Sequence, residues 1–567
     1  MVLSPEILYL SDPAQGLCML EGNTGSRVMA SGCGRPGVQG PFALHIMSTK
    51  QPVRSQRLLF GVETNHVAAS MRVRAEEARS ANGDGKSDSR IVPQQPTCQV
   101  GETKPGNAGE GKAAKLSRER DRTPAVLSGG STVNQRLDRI TQRAEQQPEE
   151  VFNNLYSLLT YDLLEQAFRR LKRDKAPGID GVTVDQYEAN LRDNLLDLET
   201  RLHRQSYHPQ PSLRREVPKG DGKTRPLGMI GVEDKTVQRA VVMILERIYE
   251  ADFCDVSYGF RPGRSCHDAL AVLGQTIATK RVNWISDADI KGFFDNVCHE
   301  QLMELLEQRI GDPRMLWLIR RFLKAGVMVE GRREDTDKGV PQGAVLSPLL
   351  ANVYLHYVLD QWFAQEVVPR LRGQASLVRY ADDFICTFEL ESDARRFQDV
   401  LPKRLARFSL ELAEEKTKLL RFGRFAERDS ARLGEGAPGT FDFLGFTHYC
   451  GHSRAGRFKL KRKTAKKKFR AKVRTLKAWF RENLTTPTAE VWAKLNSKLR
   501  GHYQYYGVND NWPWLLKYRR VAVQLGLRWL RRRSQAATMS RAAYRIYLTR
   551  HEIANPKKIV DLIALAR

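Results

Sequence analysis

Residues 376–388 set two adjacent carboxylates, Asp382 and Asp383, between runs of strand formers: Leu377, Val378 and Tyr380 before them, Phe384, Ile385, Thr387 and Phe388 after. Such flanks favour extended chain and Ala-Asp-Asp suits a turn, so the pattern predicts a β-hairpin with both acids at its tip. Two anions held this close repel. A hard divalent cation with oxygen ligands, Mg²⁺ above all, offsets that repulsion and can grip phosphates at the same time. A solvated Asp-Asp turn is the plainer alternative, and a third carboxylate weighs against it. Asp289 lies in a second strand-like run, residues 284–290, ahead of a turn at Gly292 and a helix near residues 299–310. Three carboxylates on rigid elements could hold two metal ions for in-line nucleotidyl transfer. Asp289 and Asp382 are 93 residues apart, so only the tertiary fold can join them. Asp287, on the same strand face by alternation, and Asp295 stay open as alternatives to Asp289.

Tyr380-Ala381-Asp382-Asp383, with Asp289-Ile290-Lys291-Gly292-Phe293-Phe294-Asp295 upstream, resembles the palm active site of reverse transcriptases. Residues 339–355, beginning Gly339-Val340-Pro341-Gln342-Gly343, are similar to that family's Pro-Gln-Gly segment. Further matches lie at residues 175–182, Arg225-Pro226-Leu227-Gly228, Glu415-Lys416-Thr417 and residues 441–446. Their order and spacing resemble those of the group II intron reverse transcriptase/maturases, over roughly residues 134–567.

The resemblance implies an α+β fold: a right-hand polymerase with fingers and an antiparallel palm sheet over residues 131–450, then a basic α-helical thumb/maturase region over 451–567. It implies that Asp289, Asp382 and Asp383 are catalytic and hold two Mg²⁺ ions, with the backbone carbonyl of Ile290 as a further metal ligand. Residues 212–227 read as two strands around a Gly-rich turn. In the family this hairpin folds over the incoming dNTP, so Lys223 and Arg225 resemble phosphate ligands, Arg225 the stronger by its bidentate geometry. Gln342 would contact the nucleotide or template, and Phe294 would crowd a ribose 2′-hydroxyl and so favour deoxynucleotides. Taken by themselves, Gln342 reads as a turn residue and Phe294 as core. Lys416 is placed near the leaving pyrophosphate, with an exposed helix lysine as the alternative.

The activity implied is RNA-directed DNA polymerisation by a group II intron protein that also binds its intron RNA to assist splicing. Intron mobility would follow by target-primed cDNA synthesis, with intron RNA, target DNA and primer, and dNTPs as partners. Many family members end in an endonuclease domain with His, Asn and paired Cys residues; the sequence up to Arg567 has no such pattern. The expectation is therefore mobility primed by a strand from elsewhere, such as a replication fork. Two other readings stand beside this one: a non-catalytic splicing cofactor with a vestigial polymerase site, and a reverse transcriptase repurposed for diversity generation or defence.

Charge distribution is consistent with a polyanion partner. Residues 451–567 carry 30 Lys and Arg against 5 Asp and Glu, whereas residues 131–450 are close to neutral within a total of +27. Aromatics are interleaved with these cations, as in Arg500-Gly501-His502-Tyr503-Gln504-Tyr505-Tyr506, a pattern suited to stacking as well as phosphate contact. His502 has no carboxylate pair around it and reads as an RNA-stacking residue or one that makes a structural hydrogen bond. No run of 18 apolar residues predicts a spanning helix, and the first twenty residues lack a basic segment and contain Asp12 and Pro13. The eight cysteines have no Cys-x-x-Cys spacing and read as reduced cytoplasmic thiols; the resemblance implies a bacterial-type, nucleoid-associated protein. Residues 1–130 are poor in large apolar residues and aperiodic, which predicts disorder or an extension upstream of the natural start. Helical spacing is read in residues 151–159 and 163–171, and Ser347-Pro348 reads as an N-cap and first residue of a helix over 349–359.

Overall fold

The computed structural model describes residues 132–218, 224–533, 539–556 and 560–565. The expectations for residues 1–130 and for Lys223 fall outside the described residues. Before residue 210 the chain forms α1 (Val133–Gln146), α2 (Tyr161–Arg169), α3 (Val184–Glu188) and α4 (Leu191–His203). Thr132 caps α1 and Thr183 caps α3, each in a reciprocal box with a Gln three residues on. Residues 151–159 do not form the expected helix. Phe152 pairs with Ile310 and only Tyr156–Leu158 makes a single 3₁₀ turn, because distant backbone takes the hydrogen bonds a helix would have used. Next come the antiparallel hairpin β1 (Ser212–Pro218) and β2 (Thr224–Met229) and the 21-residue helix α5 (Val232–Asp252). Glu233 and Asp234 in the first turn of α5 suit its dipole, and Val237, Val241, Ile244, Leu245 and Ile248 bury its apolar face.

After α6 (Cys266–Thr279) the chain makes β3 (Trp284–Ala288), the short α7 (Phe293–Asn296), α8 (His299–Glu307), α9 (Pro313–Leu323), β4 (Val327–Val329) and β5 (Arg332–Glu334). Helix α10 (Ser347–Leu355) leads to β6 (Ala375–Tyr380), β7 (Asp383–Phe388), α11 (Glu391–Arg407) and β8 (Lys418–Arg421). Strands β6-β7-β3-β8 form one antiparallel sheet in that order, whereas β2-β1-β4-β5 form a second sheet with a parallel β1–β4 contact. Alternation divides the first sheet between two cores. Leu377, Phe384, Cys386 and Phe388 face one side, where Phe388 lies 5.3 Å from Phe397 of α11, and Val378, Ile385 and Ile285 face α6 residues Leu270, Leu273 and Ile277 on the other. With both faces covered, β7 is buried throughout except at Asp383, its first residue.

Helix α10 differs from its expected form. Ser347 is its first residue and not its cap, and its hydroxyl donates to the carbonyl of Pro341, 2.9 Å away. The helix then widens into π-helical turns over His356–Gln361.

Beyond residue 422 come α12 (Ala426–Arg432), a meander of β9 (Phe441–Phe443), β10 (Phe446–His452) and β11 (Phe458–Thr464), and the helices α13 (Lys466–Glu482), α14 (Thr488–Tyr506), α15 (Trp512–Arg532), α16 (Arg541–Arg550) and α17 (Leu562–Leu565). In α13, Phe469, Leu476 and Phe480 recur at helical spacing and are buried, which leaves its lysines and arginines outward. His502 is not an outward stacking residue. It is buried in α14, its ring 4.0 Å from Tyr518 and 4.7 Å from Tyr506, and neither ring nitrogen has a hydrogen-bond partner. No helix among the described residues is long and apolar enough to cross a membrane.

Candidate active site

The hairpin β6–β7 closes through Ala381 and Asp382, with Tyr380 paired to Asp383 and Ala381 in a left-handed conformation at φ 57°. In the adjoining ladder Ala288 pairs with Phe384, so one step beyond it Asp289 comes opposite Asp383. Partial desolvation, then the carboxylates of Asp382, Asp289 and Asp287, push Asp383 up to about 7. Because Asp383 still touches solvent, the repulsion among carboxylates is the firmer of these causes. Asp382 is raised in the same sense, by burial first and then by Asp289.

Cations border this cluster. Lys416 donates to Oδ2 of Asp289, a bond that holds its ammonium above the usual range, and Lys468 at the start of α13 counters the rise at Asp383. Of the two alternatives to Asp289, Asp287 belongs to the same carboxylate group: burial, then Asp442 and Asp289, push it up to about 7 against the pull of Lys418. Asp287 pairs in register with Lys418 on β8, and Asp295 sits exposed on α7, where it accepts from Gln342 Nε2 at 3.4 Å.

Backbone pairing places Ile290. Ala413 N donates to the carbonyl of Asp289 and Lys291 N donates to that of Glu411, each at 2.8 Å, so alternation turns the Ile290 carbonyl toward the β7 side. The donor set, carboxylates and a carbonyl, suits a hard dication. Among the described residues no three His, Cys, Asp or Glu side chains converge on one point, and Asp289 is engaged by Lys416.

The segments that carry the remaining candidates, Arg225, Gln342 and Phe294, are tied to one another by backbone hydrogen bonds. The Gln342 carbonyl accepts from Gly228 N at 2.7 Å, which ties the Pro-Gln-Gly loop to β2, the strand that carries half-buried Arg225 opposite Val217. Gly343 is required there: its φ is 109°, and a Cβ would lie 2.7 Å from the Gly228 carbonyl. Val340 N donates to the Phe294 carbonyl at 2.7 Å, which fixes α7 beside the same loop. Half-buried Phe294 packs edge-on against Phe293.

What holds the hairpin was not foreseen. Arg379, fully buried on β6, forms a two-pronged ion pair with Asp360 and donates from Nη1 to Asn352 Oδ1 at 3.1 Å and to the Ala381 carbonyl at 3.0 Å. A charged residue inside an apolar strand was the available signal, since a buried cation requires a partner. Its partners, Asp360 and Asn352, come from the helical segment after Ser347, which no local pattern ties to β6.

A cationic cavity of about 570 Å³ opens where β9–β11 meet α13, lined by Lys463, Lys466, Lys467, Arg470 and Arg474 together with Thr440, Asp442 and Thr447. The first turn of α13 holds Lys466, Lys467 and Lys468 and no acidic residue, against the preference of a helix N-terminus for negative charge.

Residues 217–448 match the family model for reverse transcriptase (RNA-dependent DNA polymerase). The group II intron-encoded protein LtrA of Lactococcus lactis subsp. cremoris is 35% identical over 303 residues, 51% of this chain and 50% of LtrA. Protein YkfC of Escherichia coli is 37% identical over 237 residues, 37% of this chain and 62% of YkfC. The mitochondrial nuclear intron maturase 4 of Arabidopsis thaliana is 30% identical over 122 residues, 21% of this chain and 15% of that protein. The chain thus spans about half the length of the first of these relatives. Residues 217–448 thus match the reverse transcriptase family, and the chain is similar to group II intron-encoded proteins and intron maturases over part of its length.

Proposed function

We propose that this chain is an RNA-directed DNA polymerase that also grips its parent group II intron RNA to assist splicing and copies that RNA from a primer at a DNA target, in the bacterial-type cytoplasm at the nucleoid. The observation that carries the reading is the juxtaposition of Asp289, Asp382 and Asp383 across β3 and the β6–β7 hairpin, beside a lysine-rich helix. In this reading β1–β2 belong to the fingers, the β6-β7-β3-β8 sheet is the palm, and α13 to α15 form the thumb and maturase surface.

The three carboxylates and the Ile290 carbonyl would hold two Mg²⁺ ions. When bound, these lower the pKa of a primer 3′-hydroxyl and stabilise the charge that develops as pyrophosphate leaves. The chain's own residues do the rest. Arg225 holds the triphosphate by charge and bidentate hydrogen bonding, and Lys223, two positions earlier in sequence, is its proposed companion. Gln342 presents its amide toward the nucleotide from a loop whose backbone is already tied to β2. The Phe294 ring leaves no room for a 2′-hydroxyl, which selects dNTPs. Lys416 neutralises Asp289 until the substrate arrives and then offers its ammonium to the departing phosphates.

Primer extension on an RNA template with dNTPs and Mg²⁺ tests the proposal by comparing wild type with Asp382→Ala/Asp383→Ala. Extension by the wild type alone supports it. Synthesis by the double variant, or none by folded, RNA-binding wild type, overturns it, and the latter favours the splicing-cofactor reading.

A further inference from the structure

Phe260 combines two features that burial and sterics both disfavour. It is 54% exposed and holds a left-handed backbone at φ 60°, a conformation that a bulky residue keeps only where its neighbours enforce it. The enforcement comes from both sides. Upstream, Tyr258 N donates to the Arg379 carbonyl at 2.9 Å and Arg379 N to the Val256 carbonyl at 2.8 Å, so residues 256–258 run along the free edge of β6. The Gly259 carbonyl accepts from Asn352 Nδ2 at 2.7 Å, and any Cβ on Gly259 would collide with the backbone of Ala381. Downstream, buried Arg261 pairs with Glu250 and donates to the carbonyls of Cys254 and Ser257. Phe260 is thereby held outward, its ring 6.5 Å from that of Tyr380, the residue that enters the Ala381-Asp382 turn.

The chemistry assigned to that turn limits what can cover the ring. The attacking 3′-hydroxyl has to reach Asp382 and Asp383, so the terminal base pair of the primer–template duplex must lie beside Tyr380. Every nucleobase offers a π face, and aromatic side chains bind such faces without regard to sequence. We propose that Phe260, together with Tyr380, forms an aromatic contact that positions a nucleoside of the terminal primer–template base pair at the carboxylate hairpin. The inference rests on the polymerase reading above and adds to it a substrate contact outside the motifs that carry the family resemblance.

The test uses the full chain and a DNA primer annealed to RNA, with 2-aminopurine at the primer 3′ end in one arm and at its template partner in the other. Fluorescence is read on binding without dNTPs, and affinity by anisotropy. Wild type is expected to quench one arm, which identifies the strand. Phe260→Ala and Phe260→Leu are expected to lose that quenching and to bind the primed duplex about tenfold more weakly, with affinity for unprimed RNA unchanged. Phe260→Trp, which restores a π face, is expected to recover both. Quenching and affinity in Phe260→Leu equal to wild type would overturn the inference, and the leucine side chain keeps the fold as a control. Failure of the polymerase reading is separable, because it appears as quenching by a wild type that does not extend the primer when dNTPs are added.

Discussion

Arg379 carries the most consequence among single residues, because the position of both hairpin carboxylates passes through it. Its guanidinium and the Asp360 carboxylate are both fully buried, so Arg379→Met leaves an unpaired charge in the core. The expected loss is about 3–5 kcal/mol in urea unfolding. Arg379→Met/Asp360→Leu is expected to regain most of that stability and still extend primers poorly, since the Ala381 carbonyl has lost its donor. Full extension by the stabilised double variant would mean that the network serves packing alone. At this scale the sequence was legible where the signal was local. Asp382 and Asp383 stand out because two acids interrupt strand formers. Asp360 and Asn352 carry no such mark, and Lys416, more readily an exposed helix lysine by sequence, lies in a turn and bonds Asp289.

Helices and strands were legible in proportion to how far their hydrogen bonds stay local. The β6–β7 hairpin and α2 follow their patterns. Residues 151–159 do not, because Phe152 finds a backbone partner at Ile310, and the reading of Ser347 as a cap fails because its hydroxyl turns to Pro341. Helix α14 shows the same limit in His502, which sits among cations and aromatics in sequence and among tyrosines in the core. Burial there, reinforced by Lys472, pushes its pKa down to about 3. The folded state therefore refuses a proton that the unfolded chain accepts near pH 6.5. Stability from this site is complete above about pH 6.5 and declines as pH falls toward 3, by up to about 1.4 kcal/mol per pH unit. Urea unfolding at pH 7 and pH 5 checks this: His502→Phe is expected to gain about 2 kcal/mol on wild type between the two. Parallel pH profiles would contradict it.

Across the whole molecule, charge and chemistry are divided along the chain. The carboxylate cluster belongs to a nearly neutral body, and the cations gather past residue 451, where α13 brings Lys468 close to Asp383. Composition made that division visible. How the cations are arranged was not, because Asp442, Lys463 and the first turns of α13 come to line one open cavity from three separate elements. The measurement that bears most directly on the account sets two variants side by side for intron-RNA affinity, its salt dependence, and extension of a saturating short primer–template. Asp382→Ala/Asp383→Ala is expected to keep RNA affinity and lose extension. Lys463→Ala/Lys466→Ala/Arg470→Ala is expected to extend the short duplex while binding intron RNA at least about tenfold more weakly, with a salt slope shallower by about 2–3. Extension by the carboxylate variant, or unchanged RNA affinity in the basic variant, would contradict the account.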